Sequence, residues 1–374
     1  IITLTSQASS ADIPFVGSRL HDLDLTERWP YAMIHSAGPY VAVYSRQMDT
    51  TDTYTHLFLK ISSDNRVTWS SPIQLTFNAA FGSVNYEYAS CCELSTNGNI
   101  GIVVTERIGG AQKLRYMVVN RLTGAIVTPL TDLDATGAYY ESTVTRFGSD
   151  GSYMIFATWK SSTVWYLRKF THAAGASWSS WSAASTLVVN GQADSTQERR
   201  RPFLYETHLS TGSPPYQQWL FFDRADDPVS TDRTRNIYEV HSSNYFSSMS
   251  AAVARTSFSN LWNSAERPSM AQVSTGSTAF MAYVKRSTSV FIDGVPIGIP
   301  SATGTHQFAK THLQTVDALK IYYDDGLDYV IVVGEDSLMG VHVFRASDFT
   351  LVKRYVASGV TGSTDPAFRA NPSY

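Results

Sequence analysis

The strongest constraint on this chain is a pattern that returns along it. A short apolar strand is followed by a polar turn, usually with Gly, and then by a second strong strand ending in a charged residue. The pattern reads RWPYAMIHSAGPYVAVYSR from Arg28 to Arg46, EYASCCELSTNGNIGIVVTER from Glu87 to Arg107, and ESTVTRFGSDGSYMIFATWK from Glu141 to Lys160. It continues as RRPFLYETHLSTGSPPYQQWLFFDR from Arg200 to Arg224 and ERPSMAQVSTGSTAFMAYVKR from Glu266 to Arg286. A looser copy, LQTVDALKIYYDDGLDYVIVVGED, runs from Leu313 to Asp336. Copies start about fifty to sixty-five residues apart, and strand-built repeats of that length specify a β-propeller with one blade per repeat. The expectation is all-β: a six-bladed β-propeller of four-stranded antiparallel blades. Seven blades is the alternative, because residues 1–25 have room for part of another.

The repeat also says where function sits. In a propeller the first strand of each blade lines a central channel, and loops at one end converge there. Residues distant in sequence then meet in one pocket.

Length alone suggests two or three domains, but a propeller closes on itself, so the repeat implies a single domain over residues 1–374. No Pro/Ser/Gly linker interrupts it. The 43% hydrophobic content supplies a large core, and the 13% aromatic content favours strands. The net charge of −3 is interspersed, with Arg199, Arg200 and Arg201 the only basic cluster. That argues against a nucleic-acid partner. No apolar run is long enough for membrane insertion. The chain begins with Ile, as a processed product or a fragment does. Its Ser/Thr-rich, Lys-poor texture suits an extracellular, secreted or virion-associated protein. The two cysteines, Cys91 and Cys92, are adjacent, so on a strand they face opposite ways. They read as buried free thiols. No metal-ligand spacing occurs, and no cofactor is implied.

After the first repeat the chain reads ISSDNRVTWSSP. Ser62, Asp64, Thr68 and Trp69 there resemble the Asp-box, or BNR repeat, of the sialidase-like β-propeller superfamily. Arg66 stands where that motif has Gly. A degenerate copy, THAAGASWSSW, keeps Thr171, Gly175, Ser177 and Trp178, with Ala173 in place of the Asp. In the motif the Asp caps a tight hairpin and the Trp packs between sheets, so these residues read as structural.

The resemblance implies a carbohydrate-active site at the channel mouth. Sialidases carry Arg-x-Pro in the first blade for the substrate carboxylate, and Arg28-Trp29-Pro30 matches. Their general acid follows about twenty-five positions on. Asp49 and Asp52 lie in that loop, and Asp52 is the better placed. Arg46 ends the intervening strand, as an Arg does in the family. Glu141 resembles the Glu that activates a Tyr nucleophile, although Trp159-Lys160 stands where a further Arg is usual. Glu87 with Arg107 is a rival pairing. The remaining arginines are sought among Arg200 or Arg201, before Pro202, and Arg267, before Pro268. The nucleophile is sought among Tyr283, Tyr322 and Tyr323, with Tyr322 chosen. A guanidinium fork suits a planar carboxylate, so the implied partner is an acidic oligo- or polysaccharide and the implied activity glycoside hydrolysis.

Two other readings stay open. Some propellers of similar blade pattern are uronic-acid polysaccharide lyases that use His and Tyr. The candidate histidines are His35, His56, His208 and His241, and His56 follows the Asp52 loop. A non-catalytic glycan-binding or receptor-binding propeller would stack sugars on Trp29, Tyr139, Tyr140, Trp159 or Trp165.

Overall fold

A computed structural model describes residues 27–34, 39–46, 54–63, 70–76, 84–94, 98–135, 137–147, 151–162, 164–186, 199–208, 216–225, 234–257, 265–272, 278–285, 289–296, 318–324, 329–335, 339–345, 347 and 350–356. Among these residues all regular structure is β-strand, and no helix is long and apolar enough to cross a membrane. Every repeat that the sequence marks is an antiparallel meander. The first comprises β1 (Glu27–Ile34), β2 (Tyr40–Arg46), β3 (His56–Ser62) and β4 (Ile73–Gln74). The second comprises β5 (Val84–Glu93), β6 (Asn99–Ile108), β7 (Ala111–Asn120) and β8 (Ile126–Asp134). The third comprises β9 (Ala138–Arg146), β10 (Tyr153–Ser161), β11 (Val164–His172) and β12 (Ser185–Thr186). The second and third meanders share one parallel bridge, Gln112 to Ala138, which joins them into one sheet.

The fourth sheet comprises β13 (Arg199–His208), β14 (Tyr216–Ala225), β15 (Arg235–Ser242) and β16 (Val253–Ala254). In the fifth, three strands are described: β17 (Ala265–Gln272), β18 (Thr278–Lys285) and β19 (Ser289–Pro296). The last holds β20 (Ala318–Asp324), β21 (Tyr329–Glu335), β22 (Met339–Arg345) and β23 (Leu351–Val356). First strands pack in cyclic order: β1 on β5, then β9, β13, β17, β20, and β20 back on β1. The result is a closed ring of radially stacked sheets, a β-propeller.

The middle strands explain why the ring is stable. In the second and third sheets each reads as an apolar run because both of its faces are covered. On β6, Ile100, Ile102 and Val104 pack toward the first sheet, against Val41, Val43, Leu57 and Leu59. Val103, of the opposite parity, packs toward the third, with Ile155 and Ala157. On β10, Met154 and Phe156 turn the other way, against Leu204, Leu220 and Phe222 of the fourth sheet. A period of two therefore cements the second and third sheets to both neighbours. Cys91 and Cys92 follow the same rule: both are half-buried rather than buried and form no disulfide, the first on the core shared with the first sheet, the second on that shared with the third. Burial pushes the Cys92 thiol up.

The Asp64–Trp69 turn lies outside the described residues. In the degenerate copy, Gly175 takes φ +70°, and the His172 ring stacks on Trp178 at 4.7 Å. Trp178 and Trp181 pack onto the core between the second and third sheets. A further turn at the same spacing, unnoticed in the sequence, follows β15: Ser242, Asn244, Phe246, Ser248 and Met249 stand where the motif has Ser, Asp, Gly, Thr and Trp. Asn244 Oδ1 accepts the Ser248 N–H at 2.9 Å, and Ser242 Oγ accepts the Phe246 N–H at 2.9 Å. Phe246 takes φ +55° where Gly is usual. Its ring fills the core between the third and fourth sheets.

Candidate functional site

The first strands are interrupted near their beginnings. In β13 two residues, Arg201 and Pro202, stand opposite one, Phe222. In β17 Arg267 and Pro268 stand opposite Tyr283. In β5 Tyr88 and Ala89 stand opposite Val104, and in β9 Tyr140 and Glu141 stand opposite Thr158. In β1 the residues from Trp29 to Tyr31 face Tyr44. Such bulges re-aim side chains and interrupt the ladder. They also explain the prolines: a residue without an N–H fits where a ladder bond is missing. Arg201 and Tyr88 adopt φ of 52° and 56°, the left-handed region that non-glycine residues seldom occupy.

The bulges of β9 and β13 bring charges from two sheets together. Arg201 Nε lies 3.5 Å from Glu141 Oε1, and Arg201 Nη1 donates to Asp223 Oδ2 at 3.1 Å. Asp223, at the end of β14, accepts on its other oxygen from Arg235 Nη1 at 2.8 Å. Glu141 Oε2 is shielded from solvent and has no hydrogen-bond partner among the described residues. The Arg200 guanidinium lies 3.7 Å over the Trp165 ring. That ring also meets Tyr140 at 4.5 Å and Lys160 at 5.0 Å.

These surroundings set the electrostatics. Burial would raise the Asp223 carboxyl, but Arg201, Arg235 and Arg200 outweigh it and hold the group below the usual carboxylate range. Burial first, then Arg201, presses the Arg200 guanidinium below its ordinary value. The cluster thus offers a carboxylate with one oxygen uncommitted, beside guanidinium groups in a partly dehydrated setting where charge interactions are strong. Among the described residues no group of side chains could hold a metal ion.

The sequence candidates fall as follows. Glu141 and Arg200 belong to this cluster. Arg201 is the member in ion-pair range of Glu141, and Asp223 and Arg235, which complete the network, were not singled out. The signal for Asp223 was the charged end of each second strand. Arg28 and Arg200 occupy the rung before a bulge, and Arg267 lies in one. Arg46 pairs in register with Glu27 and with His56. His56 begins β3, and its side chain is buried. Tyr322 is in β20, opposite Ile331. Asp52, Asp49 and His35 lie outside the described residues. The rival pair, Glu87 and Arg107, is 4.0 Å apart.

Three of the aromatic candidates, Tyr139, Trp159 and Trp165, are covered rather than open. Tyr139 is wholly buried, its hydroxyl donating to Asp134 at 2.6 Å. Trp165 is buried under Arg200, and Trp159 carries the Arg168 guanidinium at 3.7 Å. His241 rests 5.0 Å from the Trp219 ring, its basicity lowered by burial and by Arg255.

No family model matches the chain, and no curated protein matches it in sequence. Similarity appears in three dimensions. A protein of unknown function from Dyadobacter fermentans superposes with TM-score 0.62 at 13% identity, covering 91% of this chain and 95% of that one. The GH93 α-L-arabinofuranosidase of Fusarium graminearum, in complex with arabinobiose, gives TM-score 0.62 at 11% identity over 89% and 98%. A candidate exo-β-1,3-galactanase from Bifidobacterium bifidum gives 0.51 at 9% identity over 76% and 92%. With its ring of antiparallel meanders, the chain has a β-propeller fold, shared in outline with the arabinofuranosidase.

Proposed function

We propose that this chain is a carbohydrate-active, six-bladed propeller, one domain over residues 1–374, that hydrolyses a glycosidic bond of an acidic glycan at the bulged end of its ring. The observation that carries the reading is the approach of Glu141 and Arg201 to 3.5 Å across two neighbouring sheets, with Arg200 beside them. The cycle of six first strands supports the blade count. The likeness in fold to an arabinofuranosidase supports glycoside chemistry.

In this reading Arg28, Arg46, Arg200 and Arg267 bind the substrate's anionic group, and His56 lines the rim. Glu141 takes the proton of Tyr322 as its oxygen attacks the anomeric carbon. Asp52 gives its proton to the departing glycosidic oxygen, so the bond breaks without a free alkoxide. Water, deprotonated by Asp52, then releases the sugar from the tyrosine, and Glu141 returns the proton. An extracellular or virion setting follows from such a polysaccharide partner.

The test is a panel of sialosides, uronides and neutral furanosides and pyranosides, each with aryl and sugar leaving groups. Cleavage of anionic members is expected, and Glu141→Gln should lose about 100- to 10,000-fold in kcat while its Tm stays near wild type. Cleavage of neutral members alone would transfer the reading to the arabinofuranosidase kind. One observation favours a second reading, binding without cleavage: Arg201 is already tied between Glu141 and Asp223. Glycan binding on an array with no turnover would establish it.

A further inference from the structure

We propose that Thr158 is the positioning residue that sets Glu141 and Arg201 at one level of the ring, an inference that rests on reading those two as site residues. Thr158 belongs to β10 and is wholly buried. In register it stands opposite the bulge that contains Glu141. Its hydroxyl reaches across to the next sheet, where Thr158 Oγ1 accepts the N–H of Arg201 at 2.9 Å. That N–H belongs to the bulge residue whose φ is 52°. A left-handed arginine costs backbone energy and persists only where its surroundings fix it. The Thr158 hydroxyl gives the bulge amide a partner that the interrupted ladder cannot supply.

One residue therefore bears on both halves of the charge pair. On its own sheet Thr158 is the rung against which Tyr140 and Glu141 bulge. On the next it holds the amide from which the Arg201 side chain departs toward Glu141 and Asp223. Sliding either strand by one residue would part the carboxylate from the guanidinium and leave a buried amide unpaired. A neighbouring tie of the same type, Thr105 Oγ1 donating to the Tyr140 carbonyl at 2.7 Å, fixes the other flank of the β9 bulge.

The experiment is residue-resolved hydrogen exchange on the intact chain, for wild type, Thr158→Val and Thr158→Ser. Valine keeps the shape and loses the hydroxyl; serine keeps the hydroxyl. The wild-type Arg201 amide is expected to exchange at least about 100-fold slower than an open amide. Valine should speed it at least about tenfold, while serine stays within about threefold of wild type and the Leu220 amide is unmoved in all three. On whichever glycoside the chain cleaves, kcat should fall at least about tenfold in the valine variant, with KM within about threefold, and recover in the serine variant. Free exchange of the wild-type Arg201 amide overturns the proposal even if no variant folds. So does a serine variant that behaves like valine. If the exchange pattern holds but no glycoside is cleaved, the positioning of Arg201 stands and the catalytic reading alone falls.

Discussion

Arg235 donates to Asp223 at 2.8 Å in a place neither side chain shares appreciably with solvent. The second oxygen of the same carboxylate serves Arg201. Asp223 is thus the anion around which the fourth sheet arranges two cations, and through Arg201 it is linked to Glu141 of the third.

Asp223→Asn should destabilise the chain by about 3–5 kcal/mol, because two buried cations lose their counter-ion. The pH dependence follows from the sign of the shift. The folded value lies below the ordinary carboxylate range. The stabilisation is therefore complete above the unfolded pKa of about 3.9 and is lost as pH falls through the folded value. Urea unfolding between about pH 2 and pH 6 should give a flatter acid limb for Asp223→Asn than for wild type. Parallel limbs would exclude Asp223 as a contributor to acid unfolding.

The turn after β15 offers a contest of known magnitudes. Phe246 takes a conformation suited to glycine, so Phe246→Gly removes about 1 kcal/mol of strain. It also removes a ring buried between two sheets, a loss of about 3–5 kcal/mol. The variant should be less stable by about 2–4 kcal/mol in chemical unfolding. A stabilised variant would mean that the ring contributes little to the core.

Asn244 caps the same turn through its side-chain oxygen. Asn244→Asp keeps that acceptor and should be close to neutral. Asn244→Ala should cost about 1 kcal/mol. Equal midpoints for Ala and wild type would show that the cap is dispensable.

Trp165 serves as the floor beneath Arg200 rather than as a sugar platform. Trp165→Leu keeps an apolar side chain but removes the stacking face, with an expected stability loss of about 1–3 kcal/mol. Binding of an anionic glycan, measured by calorimetry, should weaken together with it, since Arg200 loses its orientation. Affinity unchanged in a folded Trp165→Leu protein would remove Arg200 from the binding site.

What the sequence determined by itself was the meander and its repetition. Runs such as GIVV and YMIFA are too apolar for anything but strands covered on both faces, and the polar turns between them leave only hairpin connections. The repeat length then requires stacked sheets, and stacked twisted sheets close into a ring. The charged ends of the strands were also legible, and with them the places of Glu141 and Arg200 in the repeat. Tertiary structure decided the rest. Pairing across two sheets depends on strand register and on the bulges that shift it, and a bulge leaves only a weak trace, a proline inside a strand. That is why Arg201, not Arg200, meets Glu141, and why Asp223, one strand-end acid among several, became the shared counter-ion of Arg201 and Arg235. It is also why Trp165, an aromatic residue suited to a sugar, lies beneath a guanidinium: which face of a ring stays open is settled by the neighbouring sheet, and no single repeat encodes its neighbour.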